Sequence, residues 1–395
     1  MQDKVVLART RVPGLSQGMA LIVLGGLPTM AIVSLVPNLP QLFKQFSQVP
    51  NHEFWVPMII TMPSLCVALF SPVAGTIADV WGRRKLLIAS LILFSIVGVL
   101  PMLVDNLFTI IATRFFVGVA EAGILTCGNA LMGDYFAGSD RHLWLGRQAT
   151  QGTILATLFM LSGGALGSLN WHAPFALYAI GLPVALWVIR DMWEPAKRVD
   201  ATTSNATPKS RFPWSAAVLV SAATVGVAIV YFVQAVQLGR IFGDLGVESP
   251  GRISVFTAIA SVGVLMGGYF YRKVAVHGVA WVLALAFTAF AVGYIGVSQA
   301  PNYWIGLPLA IIAQLANGLV FPALLNWALG NYDFEHRGRG MGLWGSCFFI
   351  GMFVSPPLVT AIGKPIGSFL QTVGVIGMAC AVVAIITFWR AQRTA

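Results

Sequence analysis

The chain has 395 residues, 57% of them hydrophobic and only 10% charged, with a net charge of +10 and a mean hydropathy of +0.80. A soluble domain carries about 25% charged residues, so this composition excludes a water-soluble protein and requires most of the surface to face lipid. The positive balance does not point to nucleic acid, because the cations fall in short segments between apolar runs, as in the cytoplasmic loops of membrane proteins.

A hydrocarbon layer roughly 30 Å thick needs about 20 apolar residues per helix. In chain order, such runs predict membrane helices over 18–42, 54–77, 86–104, 107–131, 147–169 and 173–190. After a polar gap they continue over 214–238, 252–271, 278–299, 303–328, 338–362 and 367–389. Prolines within these runs (Pro28, Pro37, Pro63, Pro322, Pro356, Pro357) are expected to be absorbed, since neighbouring helices re-satisfy the freed backbone groups. Cys66, Cys127, Cys347 and Cys380 all fall inside spans and read as free thiols.

Twelve spans put both termini on one side. Of the 24 Lys and Arg residues, only Lys44, Arg240, Arg252 and Lys364 then lie on the opposite side, and Arg114 lies within a span. The asymmetry predicts cytoplasmic termini in a multi-pass protein of a bacterial inner membrane. The longest polar stretch, 191–213, separates an N-terminal six-helix unit, 1–190, from a C-terminal one, 214–395. The two units echo each other. Gly133-Asp134-Tyr135, followed by Arg141 and Gly146, corresponds to Gly330-Asn331-Tyr332, followed by Arg337 and Gly342. The expected fold is therefore an all-α polytopic membrane protein of 12 transmembrane helices in two pseudo-symmetric six-helix bundles, an arrangement that suits alternating access around a central site.

Only Arg114 and Glu121 place ionisable side chains well inside the hydrocarbon region, tyrosines and cysteines apart. A charge there costs several kcal/mol and marks function by default. Seven residues turn a helix by about 700°, so the two share a face, but the rise of about 10.5 Å is too long for a direct salt bridge. Each needs its own partner. Thr29, Ser34 and Asn38 on helix 1, Gln234 and Gln237 on helix 7, and Asn317 and Asn326 on helix 10 are candidate cavity-lining groups, with interhelical hydrogen bonding as the alternative. Tyr231, Phe232 and Trp344 are aromatic candidates for an apolar binding surface.

The loop between helices 2 and 3 reads Gly75-Thr76-Ile77-Ala78-Asp79-Val80-Trp81-Gly82-Arg83-Arg84-Lys85-Leu86-Leu87. Gly75 permits close helix packing, Gly82 a turn with positive φ, and Asp79 is an anion able to face a helix N-terminus. The run resembles the signature loop of the major facilitator superfamily, Gly-x-Leu-Ala-Asp-x-x-Gly-Arg-Arg/Lys, departing from it at Val80, where a basic residue is common. A degenerate echo, Gly268 to Lys273, holds the same place in the second half. Val36-Pro37-Asn38-Leu39-Pro40 is similar to the helix 1 ending of bacterial twelve-helix drug/proton antiporters. Arg114-x-x-x-Gly118 is similar to the superfamily's helix 4 motif, and its Gly-x-x-Glu-Ala ending to spinster-type carriers, although the helix 1 acid of that branch is missing. The Gly-Pro pair of the antiporter helix 5 is absent as well.

The resemblance implies a transporter, not an enzyme, without cofactor or metal. Its expected partners are a small-molecule substrate, protons and the lipid bilayer, with no nucleic acid, and it is expected to act as a monomer. It further implies that Asp79, with Gly75, Gly82, Arg83 and Arg84, meets the start of helix 11 around Gly338 and Gly340 when the cytoplasmic side is shut. The leading expectation is proton-coupled export of small amphipathic organic compounds, with Glu121 and Arg114 carrying the coupling. The alternative is an organic-anion carrier, by uptake, exchange or facilitated diffusion, in which Arg114 binds the substrate anion. A membrane-embedded enzyme or sensor finds no nucleophile–base pair or appended soluble domain to support it.

Overall fold

The computed structural model describes residues 12–136, 138–195, 212–332, 336–366 and 368–394. Among the described residues there are helices and turns but no strand. Eleven helical segments are long and apolar enough to cross a membrane. α7 (Gly138–Gly167) stands where the sequence predicts the fifth span and carries a shorter apolar stretch, Ile154–Gly167, among the described residues. Positions 196–211, most of the predicted linker, lie outside the described residues.

The first half runs α1 (Leu15–Val33), α2 (Leu39–Gln45), α3 (His52–Trp55), α4 (Met58–Trp81), α5 (Arg83–Val99), α6 (Leu107–Tyr135), α7 and α8 (Gly181–Asp191). The second runs α9 (Trp214–Asp244), α10 (Pro250–Ala260), α11 (Val262–Val274), α12 (Val279–Gln299), α13 (Tyr303–Gly330), α14 (Arg337–Ile366) and α15 (Phe369–Thr394). Asn106 and Asn302 start α6 and α13 by accepting backbone N–H bonds from the first turn. In the first half α4 packs on α6, α5 on α8 and on the turn before it, and α1 on α7. The second half repeats these pairings with α11 on α13, α12 on α15, and α9 on α14. Two six-helix bundles with the same internal packing result.

Three spans depart from the continuous helices the hydropathy predicts. The first is broken after Val33 by a 3-10 turn at Val36–Asn38. Pro37 and Pro40 have no N–H to return to the carbonyls of Val33 and Val36, so the α ladder cannot continue there. Pro28, by contrast, sits inside α1 without ending it. The sixth span opens with a 3-10 run, Ala173–Ile180, before α8, and the eighth divides at Ser261 between α10 and α11.

Contacts between the halves have a definite location. With the termini taken as marking one side of the layer, α9 meets α2 and the Val36–Asn38 turn near the far side, and α7 meets α10 there as well. A Cβ on Gly239 of α9 would stand 1.9 Å from the Val36 carbonyl oxygen, so only glycine allows this approach. Gly251 N–H donates to Ser168 Oγ across the same seam at 2.9 Å. Nearer mid-depth, Ser346 of α14 donates to the Ala68 carbonyl of α4 at 3.2 Å.

Candidate functional site

Gly82 is the joint between α4 and α5, with φ +103°, so the sequence expectation of a positive φ holds. Beyond it, the backbone N–H groups of Arg83 and Arg84 donate to the two oxygens of the Glu194 carboxylate, at 2.7 and 2.9 Å. The Arg83 guanidinium pairs with Asp134 at the end of α6 and lies 3.9 Å from Asp79. Arg84 donates to the Ile189 carbonyl at 2.6 Å. Asp79 itself has a side chain 73% exposed, and among the described residues Arg83 is its ion-pair partner.

Gly75 needs correcting. A Cβ there would meet only the Thr126 methyl at 3.8 Å, an ordinary contact, so close helix packing is not its role in this conformation. Gly340 does sit tightly, with a Cβ position 2.5 Å from the Tyr332 ring. Gly338 starts α14, but its surroundings lie outside the described residues.

Arg114 and Glu121 are both inside the first bundle, 0% and 2% exposed. They form no direct ion pair, as the helical spacing requires. The Arg114 guanidinium lies over the rings of Phe175 and Tyr178, 5.0 and 4.6 Å from their centroids, and donates to the Gly98 carbonyl at 3.0 Å. Tyr178 in turn donates to the Ala31 carbonyl of α1 at 2.9 Å. The 3-10 run therefore delivers the aromatic surface that lets a cation sit in the membrane, which hydropathy alone does not reveal. Arg114 is consequently not on a surface open to a ligand, as substrate binding would require. One Glu121 carboxylate oxygen is buried without a hydrogen-bond partner.

The remaining polar candidates divide. Asn38 donates to the carbonyls of Ser34 and Gly163, at 3.1 and 3.2 Å, and so ties the break in the first span to α7. Gln234 donates to the Ala310 carbonyl at 3.2 Å, and Asn317 to Gln314 at 2.7 Å. Ser34, Asn38, Gln234, Gln237 and Asn317 are all buried, and each keeps one side-chain polar atom without a partner. Thr29 and Asn326 are exposed, and Asn326 donates to the Tyr271 hydroxyl. Asn38, Gln234 and Asn326 thus make interhelical bonds, the alternative role the sequence offered for these groups. Tyr231, Phe232, Phe348, Phe321 and Trp344 gather, with neighbouring ring centroids 4.9 to 5.9 Å apart, where α9, α13 and α14 meet.

One residue of the far-side seam escaped the sequence reading, which placed it in a loop. Arg240 of α9 is only 16% exposed. Its guanidinium lies between the rings of Phe43, from the first half, and Phe369, from the second, 4.4 and 4.2 Å from their centroids. It also pairs with Glu53 of the first half at 3.5 Å. A cleft of about 640 Å³, lined in part by Lys44, His52, Glu53, Arg240 and Asp244, opens above it. The usable signal was scarcity: Arg240 is one of four cations on that side.

The family model of the Major Facilitator Superfamily matches residues 21–277 and 253–395. The chain is 24% identical over 358 residues to the class C tetracycline resistance protein of Escherichia coli, covering 87% of this chain and 89% of that one. It is 26% identical over 382 residues to the multidrug resistance protein MdtG of Escherichia coli O9:H4 (strain HS), covering 89% and 90%. Among solved structures, a bacterial homologue of the human lysosomal transporter Spinster, in an inward-facing and occupied conformation, superposes with a TM-score of 0.76 at 18% identity, covering 96% of each chain.

Proposed function

The chain belongs to the Major Facilitator Superfamily, and from that premise we propose that it exports small amphipathic organic compounds across a bacterial inner membrane by alternating access, driven by protons. The two relatives named for tetracycline and multidrug resistance support export and an amphipathic substrate. The observation that carries the cycle is the asymmetry of the contacts between halves. The far side is joined by Arg240, Gly239 and the Ser168–Gly251 bond, while Asp79 of the signature loop stands exposed. With the terminus side read as cytoplasmic, these far-side contacts among the described residues support reading the protein as shut outside, one of the two states an alternating carrier visits. The gating role proposed for Asp79, together with Gly338 and Gly340 of α14, belongs to the other state.

Glu121 supports the coupling. It is a carboxyl removed from water inside the first bundle, with one oxygen unpartnered, and an ionisable group at that depth is a default candidate for proton transfer. An organic-anion carrier is the less favoured reading, because Arg114 has no accessible surface to offer an anion. The deciding experiment is transport in proteoliposomes, with and without a pH gradient, across cationic, neutral and anionic compounds. Gradient-dependent movement of cationic or neutral amphipaths is expected. Accumulation indifferent to the gradient, or confined to anions, would overturn the proposal.

A further inference from the structure

Glu194 lies three residues beyond α8, more than a hundred positions along the chain from the signature loop. Nevertheless both its carboxylate oxygens are spent on that loop, one on the N–H of Arg83 and one on the N–H of Arg84. These are the first two N–H groups of α5, which have no partner within the helix. The residue before them is Gly82, with no side chain to supply a cap, and α5 makes no side-chain cap of its own. A carboxylate also suits the positive end of the helix dipole. Glu194 is therefore a cap delivered from elsewhere in the fold. A Cβ on Gly82 would come within 3.0 Å of the carboxylate, so the glycine serves the cap as well as the turn.

The carboxylate is held in place by its neighbours. Trp193 N–H donates to the Tyr135 hydroxyl at 3.0 Å, that hydroxyl is bonded to the Trp193 carbonyl, and the two rings lie 4.8 Å apart. Tyr135 directly follows Asp134, which takes the Arg83 guanidinium. Arg83 is thus gripped twice, its main chain by Glu194 and its side chain by Asp134. Two carboxylates compete for this one guanidinium, Asp134 and Asp79, and the position of the Arg83 backbone decides between them. As it stands, Asp134 takes the guanidinium hydrogen bond, and Asp79 meets the same guanidinium only at 3.9 Å, the outer edge of an ion pair.

We infer that Glu194 is a positioning residue for the signature loop: by capping α5 it holds Arg83 on Asp134 and leaves the Asp79 charge available to the start of α14. Without the cap the first turn of α5 loosens, and Arg83 moves to Asp79, which it already approaches to 3.9 Å. Asp79 is then neutralised where it is needed. This inference rests on the gating role proposed for Asp79, and the test separates the two.

Spin labels across the terminus side of the full chain in liposomes report the ratio of open to shut populations. Asp79→Asn alone tests the gating role and is expected to raise that ratio. Glu194→Ala is expected to raise it about fivefold, the worth of about 1 kcal/mol for a helix cap, and Glu194→Gln, which keeps one acceptor, by less. In the Asp79→Asn background Glu194→Ala is expected to add nothing, because no charge is left to neutralise. A merely structural role would give the same shift in both backgrounds and would overturn the inference, as would no shift in the single variant. If Asp79→Asn is silent while Glu194→Ala shifts the ratio, Glu194 does not act through Asp79 and the inference fails with the gating role. Should Glu194→Ala not reconstitute, Tyr135→Phe, which removes the hydroxyl holding Trp193, takes its place with the same expected direction and the same comparison.

Discussion

Arg114 and Glu121 share a face of α6 but answer to different neighbours, and they are expected to respond differently to substitution. Glu121→Gln imitates the protonated carboxyl and leaves the fold intact. In proteoliposomes it should abolish gradient-driven accumulation while sparing substrate binding and counterflow, and a Gln variant that still concentrates substrate would reduce Glu121 to a structural contact. Arg114→Ala removes a guanidinium packed on two rings and hydrogen-bonded to Gly98. A loss of about 3 kcal/mol is expected from the lost ring contacts and the cavity left behind. Thermal unfolding in detergent checks this, and an unchanged melting point would contradict it. The depth of both residues was legible in the sequence, since a lone charge in an apolar run must be buried. The identity of Arg114's partners was not, because Phe175 and Tyr178 reach it through a 3-10 run that hydropathy reads as ordinary helix.

Among the elements, the broken first span is the one whose shape follows most directly from chemistry. Pro37 and Pro40 interrupt the ladder, and Asn38 bonds the freed strand of chain to α7 through the Gly163 carbonyl. The break brings the Val36 carbonyl against Gly239 of α9, with no room for a methyl group. Gly239→Val is expected to prevent the far side from closing. A disulfide between cysteines introduced at Ser168 and Gly251, which touch across the seam, should form readily in the parent and at least tenfold more slowly in the Gly239→Val protein, on the order of 1.4 kcal/mol against closure. Equal rates would show that the seam tolerates the side chain.

For the whole molecule, the seam between halves is where one substitution should move the largest body. Arg240 is clasped by Phe43 and Glu53 from the first half and by Phe369 from its own. Arg240→Ala removes an ion pair and two cation–ring contacts, together on the order of 1–2 kcal/mol. The expected result is roughly a tenfold shift toward the state open on the far side, read from spin-label distances across that face. Unchanged distances would mean that the glycine contacts alone keep it shut. Reporter fusions to the C-terminus check the orientation assumed throughout and are expected to report the cytoplasm.

Span number, the pairing of six with six, and the side rich in cations follow from the linear order of residues, because each depends on run length against bilayer thickness or on charges counted loop by loop. The signature loop and the two intramembrane charges were legible for the same reason: they are local patterns within one or two helices. Contacts that join distant parts of the chain were not. Glu194 reaches Arg83 across 111 positions and Asn38 reaches Gly163 across 125, and neither pair has a sequence spacing that distinguishes it from others. Arg240 and Glu53 looked like separate loop charges until folding put two aromatic rings around the arginine. Which polar groups meet is decided by the packing of helices, where geometry over a few ångströms, rather than composition, selects the partners.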